Sequence, residues 1–409
     1  MTPDVAVTQD SLHRHLAGLP RPAKMALAFA SRLRKGRLRI VLPDGRVLTF
    51  GGAEPGPEAT LIVKNIGFAR RLMAGGEIGF SEAYIAGEWD SPDVTRFLTL
   101  FCVNHEMIHN MLGGKPLVRL WQMFSHWRNR NTRSGARRNI EAHYDLGNQF
   151  YAAWLDPSMT YSSALFTEGA NDLESAQTAK YRALAHALDL RPGHDVLEIG
   201  CGWGGFAEYA AREHGCRVVG LTLSPAQAEF ARARAQAAGL ADRIDIRLQD
   251  YRDEHGQYDR IASIEMIEAV GETYWPTYFS AIRERLHPGG RAGIQAITIQ
   301  DHLFGNYRRE LDFIRRHIFP GGMLPPAEGI KQIAGRLGLA LDAERVFGLD
   351  YARTLAEWRD RFLGAWPALV PLGFDERFRR LWEYYLCYCE AGFLSGNIDV
   401  RQMIFSKPA

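Results

Sequence analysis

Apolar and polar residues alternate in the first recognisable stretch, Arg37-Leu38-Arg39-Ile40-Val41-Leu42, as they do along a strand with one buried face. Pro43-Asp44-Gly45-Arg46 supplies the hairpin turn. Val47 to Phe50 then predicts a partner strand, and Ala59 to Val63 a third. From Gly67 the period lengthens toward that of a helix, through Phe68, Leu72 and Met73. Phe80 to Trp89 leads into a further apolar helix, Val94 to Met111. Residues 1–125 therefore read as a small α+β unit, fit for packing or for covering a lipid. The polar, arginine-rich run Trp127 to Ile140, with Ser134-Gly135 inside it, predicts a linker over 126–140.

Beyond the linker the pattern changes. Short strand-like stretches at Asp195–Ile199, Arg217–Leu223, Ile244–Leu248, Tyr258–Ile264 and Arg291–Ile297, the second nearly all apolar, alternate with helical stretches such as Ala226–Ala238 and Tyr274–Leu286. His287-Pro288-Gly289-Gly290 closes the last of these. This alternation predicts an α/β domain over 141–409, a doubly wound, Rossmann-like parallel sheet with helices on both faces. Ligand then sits beyond the strand C-termini. That edge collects Gly200 to Gly205, Thr222 to Ser224, Gln249-Asp250 and Glu265 to Gly271. Residues from about 300 to 409 do not continue the sheet cleanly. They hold Asp301-His302, an arginine-rich helix (Tyr307 to His317), the turn Phe319-Pro320-Gly321-Gly322 and aromatic helices from Thr354 to Phe393, read as a helical lid and wall. A terminal strand is expected near Val400 to Phe405.

The stretch Val196-Leu197-Glu198-Ile199-Gly200-Cys201-Gly202-Trp203-Gly204-Gly205 carries the first chemistry. A buried strand ends in an acid, and four glycines follow within six residues. Glycine suits such a corner because a Cβ would keep a ligand from the backbone amides. The pattern E-x-G-x-G-x-G fits the S-adenosylmethionine loop of doubly wound methyltransferases better than a dinucleotide fingerprint. Glu198, with the amides of Gly200, Gly202 and Gly204, would hold the amino-acid and ribose portions. Thr222, Ser224 and Gln227 follow the second strand, where the ribose hydroxyls would lie, although Ser224 alone also suits a helix N-cap. Gln249 and Asp250 sit where an adenine amino group could be bonded.

Composition narrows the class. A chain of 409 residues is too long for one ordinary core, and 46% apolar with 23% charged residues is a globular balance. No apolar run approaches the ~18 residues a bilayer span needs, and Met1 to Pro20 lacks an apolar signal core, so export is not expected. The five cysteines (Cys102, Cys201, Cys216, Cys387, Cys389) show no metal-ligand or disulfide spacing and suit a reducing cytoplasm. The net charge of +2 is uninformative, but five arginines fall between Arg128 and Arg138. They are either a solvated linker or a patch for anionic headgroups.

Taken together, Ala142-His143-Tyr144-Asp145-Leu146-Gly147-Asn148, Thr160-Tyr161-Ser162-Ser163, the glycine stretch, Gly220 to Gln227, Glu268-Ala269-Val270-Gly271, Ile318 to Gly322 and Tyr351 to Leu355 resemble the cyclopropane-fatty-acyl-phospholipid synthases and their mycolic-acid relatives. The resemblance runs from about Phe80 to the C-terminus. It implies methylene or methyl transfer from S-adenosylmethionine to the cis double bond of a phospholipid acyl chain, with Tyr161, Ser162 and Trp203 beside the cofactor. Cyclopropane is the expected product, and a C-methylated or methylene-branched chain the alternative. A cytoplasmic enzyme working peripherally on the inner, anionic membrane face, and a homodimer, also follow from the resemblance.

An alkene is a weak nucleophile and the sulfonium methyl a strong electrophile, so positioning accounts for much of the first step. Aromatic faces can stabilise the resulting carbocation, and Tyr144, Phe150, Tyr151, Trp154, Tyr161, Trp203, Tyr274 and Trp275 are available, each of them equally suited to ordinary core packing. A base must then take a proton. In the family that base is bicarbonate, held by Cys, Glu, His, an Ile amide and Tyr. Here those positions read Ser163, Glu268, Gln295, Ile297 and Tyr351, and Ala269 stands where a second His is usual. The departures leave Glu268, Tyr351 or a retained anion as the base. Two other classes compete. One is a methyltransferase for a small molecule or a nucleic acid. Exocyclic-amine methylation of bases uses (N/D)-P-P-(Y/F) after the fourth strand, where Ser263-Ile264-Glu265-Met266-Ile267-Glu268 stands, so no nucleic acid is expected, and the small-molecule enzyme stays as an alternative. A non-catalytic lipid carrier would not require the intact glycine loop.

Overall fold

The computed structural model describes residues 4–7, 11–106, 146–167 and 169–409. The basic run Arg128–Arg138, the linker 126–140 and Tyr144 lie outside them. The chain divides into two compact units: 1–125 with 310–316 and 366–397, and 126–309 with 317–365 and 398–409. Among the described residues, no helix is long and apolar enough to cross a membrane.

The first unit is built on a five-stranded sheet of order β1-β3-β2-β4-β5, from β1 (Asp4–Ala6), β2 (Lys35–Val41), β3 (Val47–Gly51), β4 (Glu54–Val63) and β5 (Trp89–Asp90). The expected hairpin is present, with Leu38 opposite Phe50. The third strand, however, pairs with β2 in parallel rather than extending the hairpin. Helices Phe68–Ile85 and Val94–Cys102 cover the unit, the second capped by the Asp93 side chain on the Arg96 amide.

The helix Glu376–Leu394 packs in this unit as well, which corrects the reading of all the aromatic C-terminal helices as a wall of the second domain. Polar contacts explain its allegiance. Buried Arg380 donates to the carbonyls of Tyr84 (2.6 Å) and Trp89 (3.0 Å) and lies over the Tyr84 ring, while Glu390 accepts the Thr95 hydroxyl at 2.7 Å.

The second unit is the α/β domain that the alternation predicts. Its strands are β6 (Asp195–Ile199), β7 (Arg217–Thr222), β8 (Ile244–Leu248), β9 (Tyr258–Ile264), β10 (Leu286–Ile299), β11 (Ala340–Val346) and β12 (Ile398–Ser406). They lie in the order β11-β12-β10-β9-β6-β7-β8. Strands β6 to β10 run parallel, and β12 pairs antiparallel with both β10 and β11. The central strands are apolar on both faces because each face is covered. Leu197, Ile261 and Ile294 belong to one buried cluster, and Val196, Val218 and Ala262 to another. The helix Trp275–Arg285 ends just before His287-Pro288-Gly289-Gly290 as expected, and this stretch is a register shift inside β10 rather than a loop.

Candidate active site

The glycine corner between β6 and the helix Gly205–His214 has Gly200, Gly202 and Gly204 at φ of 83°, 52° and 82°. These are left-handed values that side-chain-bearing residues rarely adopt. A Cβ on Gly202 would meet nothing within 4 Å, so this loop faces open space there. One on Gly204 would touch Ala231 at 3.0 Å.

Around the corner several buried polar atoms lack a partner. Glu198 is 3% exposed, its Oε2 is unpaired, and burial pushes its carboxyl up to about 8 against the pull of Lys180. Gln227 is buried with Nε2 unpaired, while its Oε1 accepts the Thr222 hydroxyl at 3.0 Å. Orphaned buried groups of this kind are costly unless a ligand satisfies them, and one acidic and one amide end beside a glycine cradle suit a zwitterionic nucleoside cofactor.

Ser224 caps the helix Pro225–Ala237 by accepting the Gln227 amide, so its hydroxyl has a structural task. Gln249 donates to Glu254, and Asp250 is tied to Arg252 at 2.5 Å. Trp203 donates its indole N–H to Asn148 Oδ1 at 2.8 Å and packs on Tyr151.

The second cluster forms beyond β9. Glu265, the residue after that strand, has φ of 50° and bonds its amide to the Gln295 carbonyl on β10. Its Oε1 accepts the Ser163 amide at 2.9 Å and the Gln295 side-chain amide at 2.8 Å. Its Oε2 accepts the Tyr351 hydroxyl at 2.6 Å. Three of the five groups expected around an external anion therefore converge on one side-chain carboxylate. Bicarbonate does not fit here, because Glu265 already takes those donors.

The remaining two, Glu268 and Ile297, bond to each other, Glu268 Oε1 accepting the Ile297 amide. Glu268 Oε2 is buried without a partner, and burial followed by the charge of Glu265 pushes this carboxyl up to about 8. Glu265 is itself raised by burial, an effect opposed by Tyr351, by Lys180, by the Ser163 amide and by Gln295. Glu265 is thus the better-supported anion of the two and Glu268 the better-supported acid.

The supports of this carboxylate come from three directions. The loop bearing Ser163 is pinned to the helix Gly348–Leu369. The Ala164 amide donates to Thr354 Oγ1, the Phe166 amide to Asp350 Oδ1 and the Thr167 hydroxyl to Asp350 Oδ2. The same helix presents Tyr351. On the other side, buried Lys180 donates to Ser162 Oγ at 2.6 Å, and its ammonium is brought down to about 8 by burial. The ring of Trp358 stands 5.3 Å from Tyr161 and 6.1 Å from Tyr351, so aromatic faces run from beside the cofactor corner to the carboxylate. Phe150, Tyr151, Trp154 and Trp275 are buried core residues, and Tyr274 is only half-buried.

Sequence reasoning placed Glu265 on the ligand-bearing edge without giving it a role, and passed over Lys180, Trp358 and Gln402. The available signal was an acid closing a buried strand, as Glu198 closes β6, with a second acid three residues on.

A family described as mycolic acid cyclopropane synthetase matches residues 131–403. The chain is 40% identical to tuberculostearic acid methyltransferase UfaA1 of Mycobacterium tuberculosis, over 98% of this chain and 96% of that one. It is 35% identical to the cyclopropane-fatty-acyl-phospholipid synthase of Escherichia coli, over 88% and 90%. Among solved structures it resembles the mycolic acid cyclopropane synthase CmaA1 complexed with SAH and CTAB, with TM-score 0.63 and 30% identity, covering 66% of this chain and 98% of that one.

Proposed function

The chain belongs to the mycolic acid cyclopropane synthetase family of S-adenosylmethionine-dependent methyltransferases, and on that premise we propose that it methylates the cis double bond of an unsaturated phospholipid acyl chain to give a methyl- or methylene-branched product, with Glu265 as the base. The observation that carries this reading is the Glu265 carboxylate on the Ser163, Gln295 and Tyr351 donors. The proton-removal site is rebuilt around a fixed side chain instead of an exchangeable ion. UfaA1, named for methyl transfer, also matches more of the chain at higher identity than the Escherichia coli cyclopropane synthase does.

The cofactor supplies an electrophilic methyl group. The alkene π electrons form the new bond to it, and the S–CH3 pair stays on sulfur. The cation left on the neighbouring chain carbon lies in a setting where the Tyr161 and Trp358 faces can stabilise it. A hydride shift brings the charge to the methyl-bearing carbon. Glu265 then takes a proton from the methyl group or from the chain, which leaves an alkene and a neutral Glu265. Glu198 and Gln227 would hold the two ends of the cofactor, with Thr222 orienting Gln227. A peripheral visit to the anionic membrane face, through the Arg128–Arg138 run, and a homodimer belong to the same proposal.

Mass spectrometry of monounsaturated phospholipid vesicles incubated with methyl-labelled S-adenosylmethionine tests the product. One added carbon with an alkene retained is expected. Label in a chain that has lost its unsaturation to a ring overturns the branched product, and no label in lipid overturns the substrate class.

A further inference from the structure

Gln295 and Gln402 face each other across β10 and β12 in register, at 0% and 3% exposure. Their neighbours on the same side of β12, Val400 and Ile404, are apolar and buried. Two amides in such a wall cost free energy unless their polar atoms are partnered. Leucine or methionine would pack there more cheaply, so the pair calls for an explanation beyond the sheet.

The partners run in one direction. The Lys180 backbone carbonyl can only accept a hydrogen bond, and Gln402 Nε2 donates to it at 3.3 Å. The same NH2 group donates to Gln295 Oε1 at 3.0 Å. That leaves the Gln295 NH2 group as the end that faces Glu265, where it donates to Oε1. Without the contact from Gln402, the Gln295 amide could turn over and set its carbonyl oxygen against the carboxylate. The helix Leu173–Ala187 anchors both sides of the arrangement. Its Lys180 and Gln177 side chains hold Ser162, next to the Ser163 amide, and its Lys180 carbonyl holds Gln402.

We propose that Gln402 is a positioning residue for this reaction: anchored on the Lys180 carbonyl, it fixes the orientation of the Gln295 amide and thereby keeps the donor on Glu265. The inference rests on Glu265 being the base. Its expected signature follows from the sign of the interaction. Donors on the ionised form favour ionisation, so losing the Gln295 donor makes Glu265 hold its proton to higher pH. The acid limb of the kcat profile then moves upward.

The test uses the full chain with S-adenosylmethionine and monounsaturated phospholipid vesicles, comparing Gln402→Met, Gln295→Met, the double variant and Glu265→Gln. Gln402→Met is expected to lower kcat at pH 6 by about tenfold and to raise the acid limb by roughly one pH unit. Cofactor affinity and lipid KM should stay at wild-type values, and the double variant should be no worse than Gln295→Met alone. A wild-type acid limb, or losses that multiply in the double variant, overturns the relay. So does a loss of cofactor binding together with thermal stability, in Gln402→Met and in the shape-preserving Gln402→Glu alike, because Gln402 would then be structural. Full activity in Glu265→Gln instead overturns the assignment of the base, whatever Gln402 does.

Discussion

The Tyr351 hydroxyl donates to Glu265 Oε2 at 2.6 Å, which joins the helix Gly348–Leu369 to the residue that ends β9. Burial pushes the Glu265 carboxyl up, and Tyr351 is the strongest influence opposing it. The phenol thus favours the ionised form of this buried carboxylate and aims it. Tyr351→Phe should lower kcat by about ten- to a hundredfold, the loss expected for a hydrogen bond to a charged group, and shift the acid limb of the rate profile upward. An unchanged pH profile would show that the hydroxyl does not tune Glu265.

Glu265→Gly makes a sharper test. The residue sits at φ of 50°, where glycine is at ease, so the substitution adds no backbone strain. It removes the carboxylate and leaves the Ser163 amide, Gln295 and Tyr351 facing an anion-sized gap. Turnover should fall by about a thousandfold or more, and added bicarbonate should restore part of it by occupying the same donors. Wild-type turnover should be indifferent to bicarbonate. A wild-type rate that rises with bicarbonate would place the ion back in the reaction.

The carboxyl of Glu198 gives a stability prediction with a definite sign. In the unfolded chain it loses its proton near 4.5, and in the folded, cofactor-free protein it keeps it to about 8. Between those values the unfolded state binds fewer protons, so stability falls as pH rises and levels off near 8. Glu268, also pushed up to about 8, adds to the same slope. Lys180 acts in the opposite sense at higher pH. Its ammonium, brought down to about 8 from 10.5, returns stability as pH rises through that interval. Thermal melts of the cofactor-free protein should show Tm decreasing from pH 5 to 8, and Glu198→Gln should flatten the decline. A slope unchanged by that substitution would mean that the folded protein ionises Glu198 freely.

Central strands such as Asp195–Ile199 and Arg217–Thr222 were legible because a strand covered on both faces reads as an apolar run, and the edge strand Ile244–Leu248 because its buried and exposed residues alternate. Ala340–Val346 was not, since all seven of its residues are exposed. It is a strand only because it pairs with β12. Glu198 and the glycine loop were legible as a local motif, and Ser163, Gln295 and Tyr351 through the resemblance. Their meeting point on Glu265 was not, because it depends on a positive φ and on three elements distant in sequence. The Gln295–Gln402 pair depends on an antiparallel register across more than a hundred residues, which periodicity does not encode. The aromatic spacing of Glu376–Leu394 announced a helix but not which core it would join.

That last point can be tested through Arg380. Its guanidinium is buried, donates to the Tyr84 and Trp89 carbonyls, lies 4.0 Å from the Tyr84 ring centroid and faces Asp90 at 3.5 Å. Arg380→Ala would leave both carbonyls without this donor and Asp90 without this cation, inside the first unit. The cost should be about 3–5 kcal/mol, the range for breaking a buried, hydrogen-bonded charge network. That corresponds to a clear drop in Tm and in the denaturant midpoint. Arg377→Ala, at an exposed position of the same helix, serves as the control and should change stability by less than about 0.5 kcal/mol. Equal effects from the two substitutions would mean that the helix is not held in this unit by its arginine anchor.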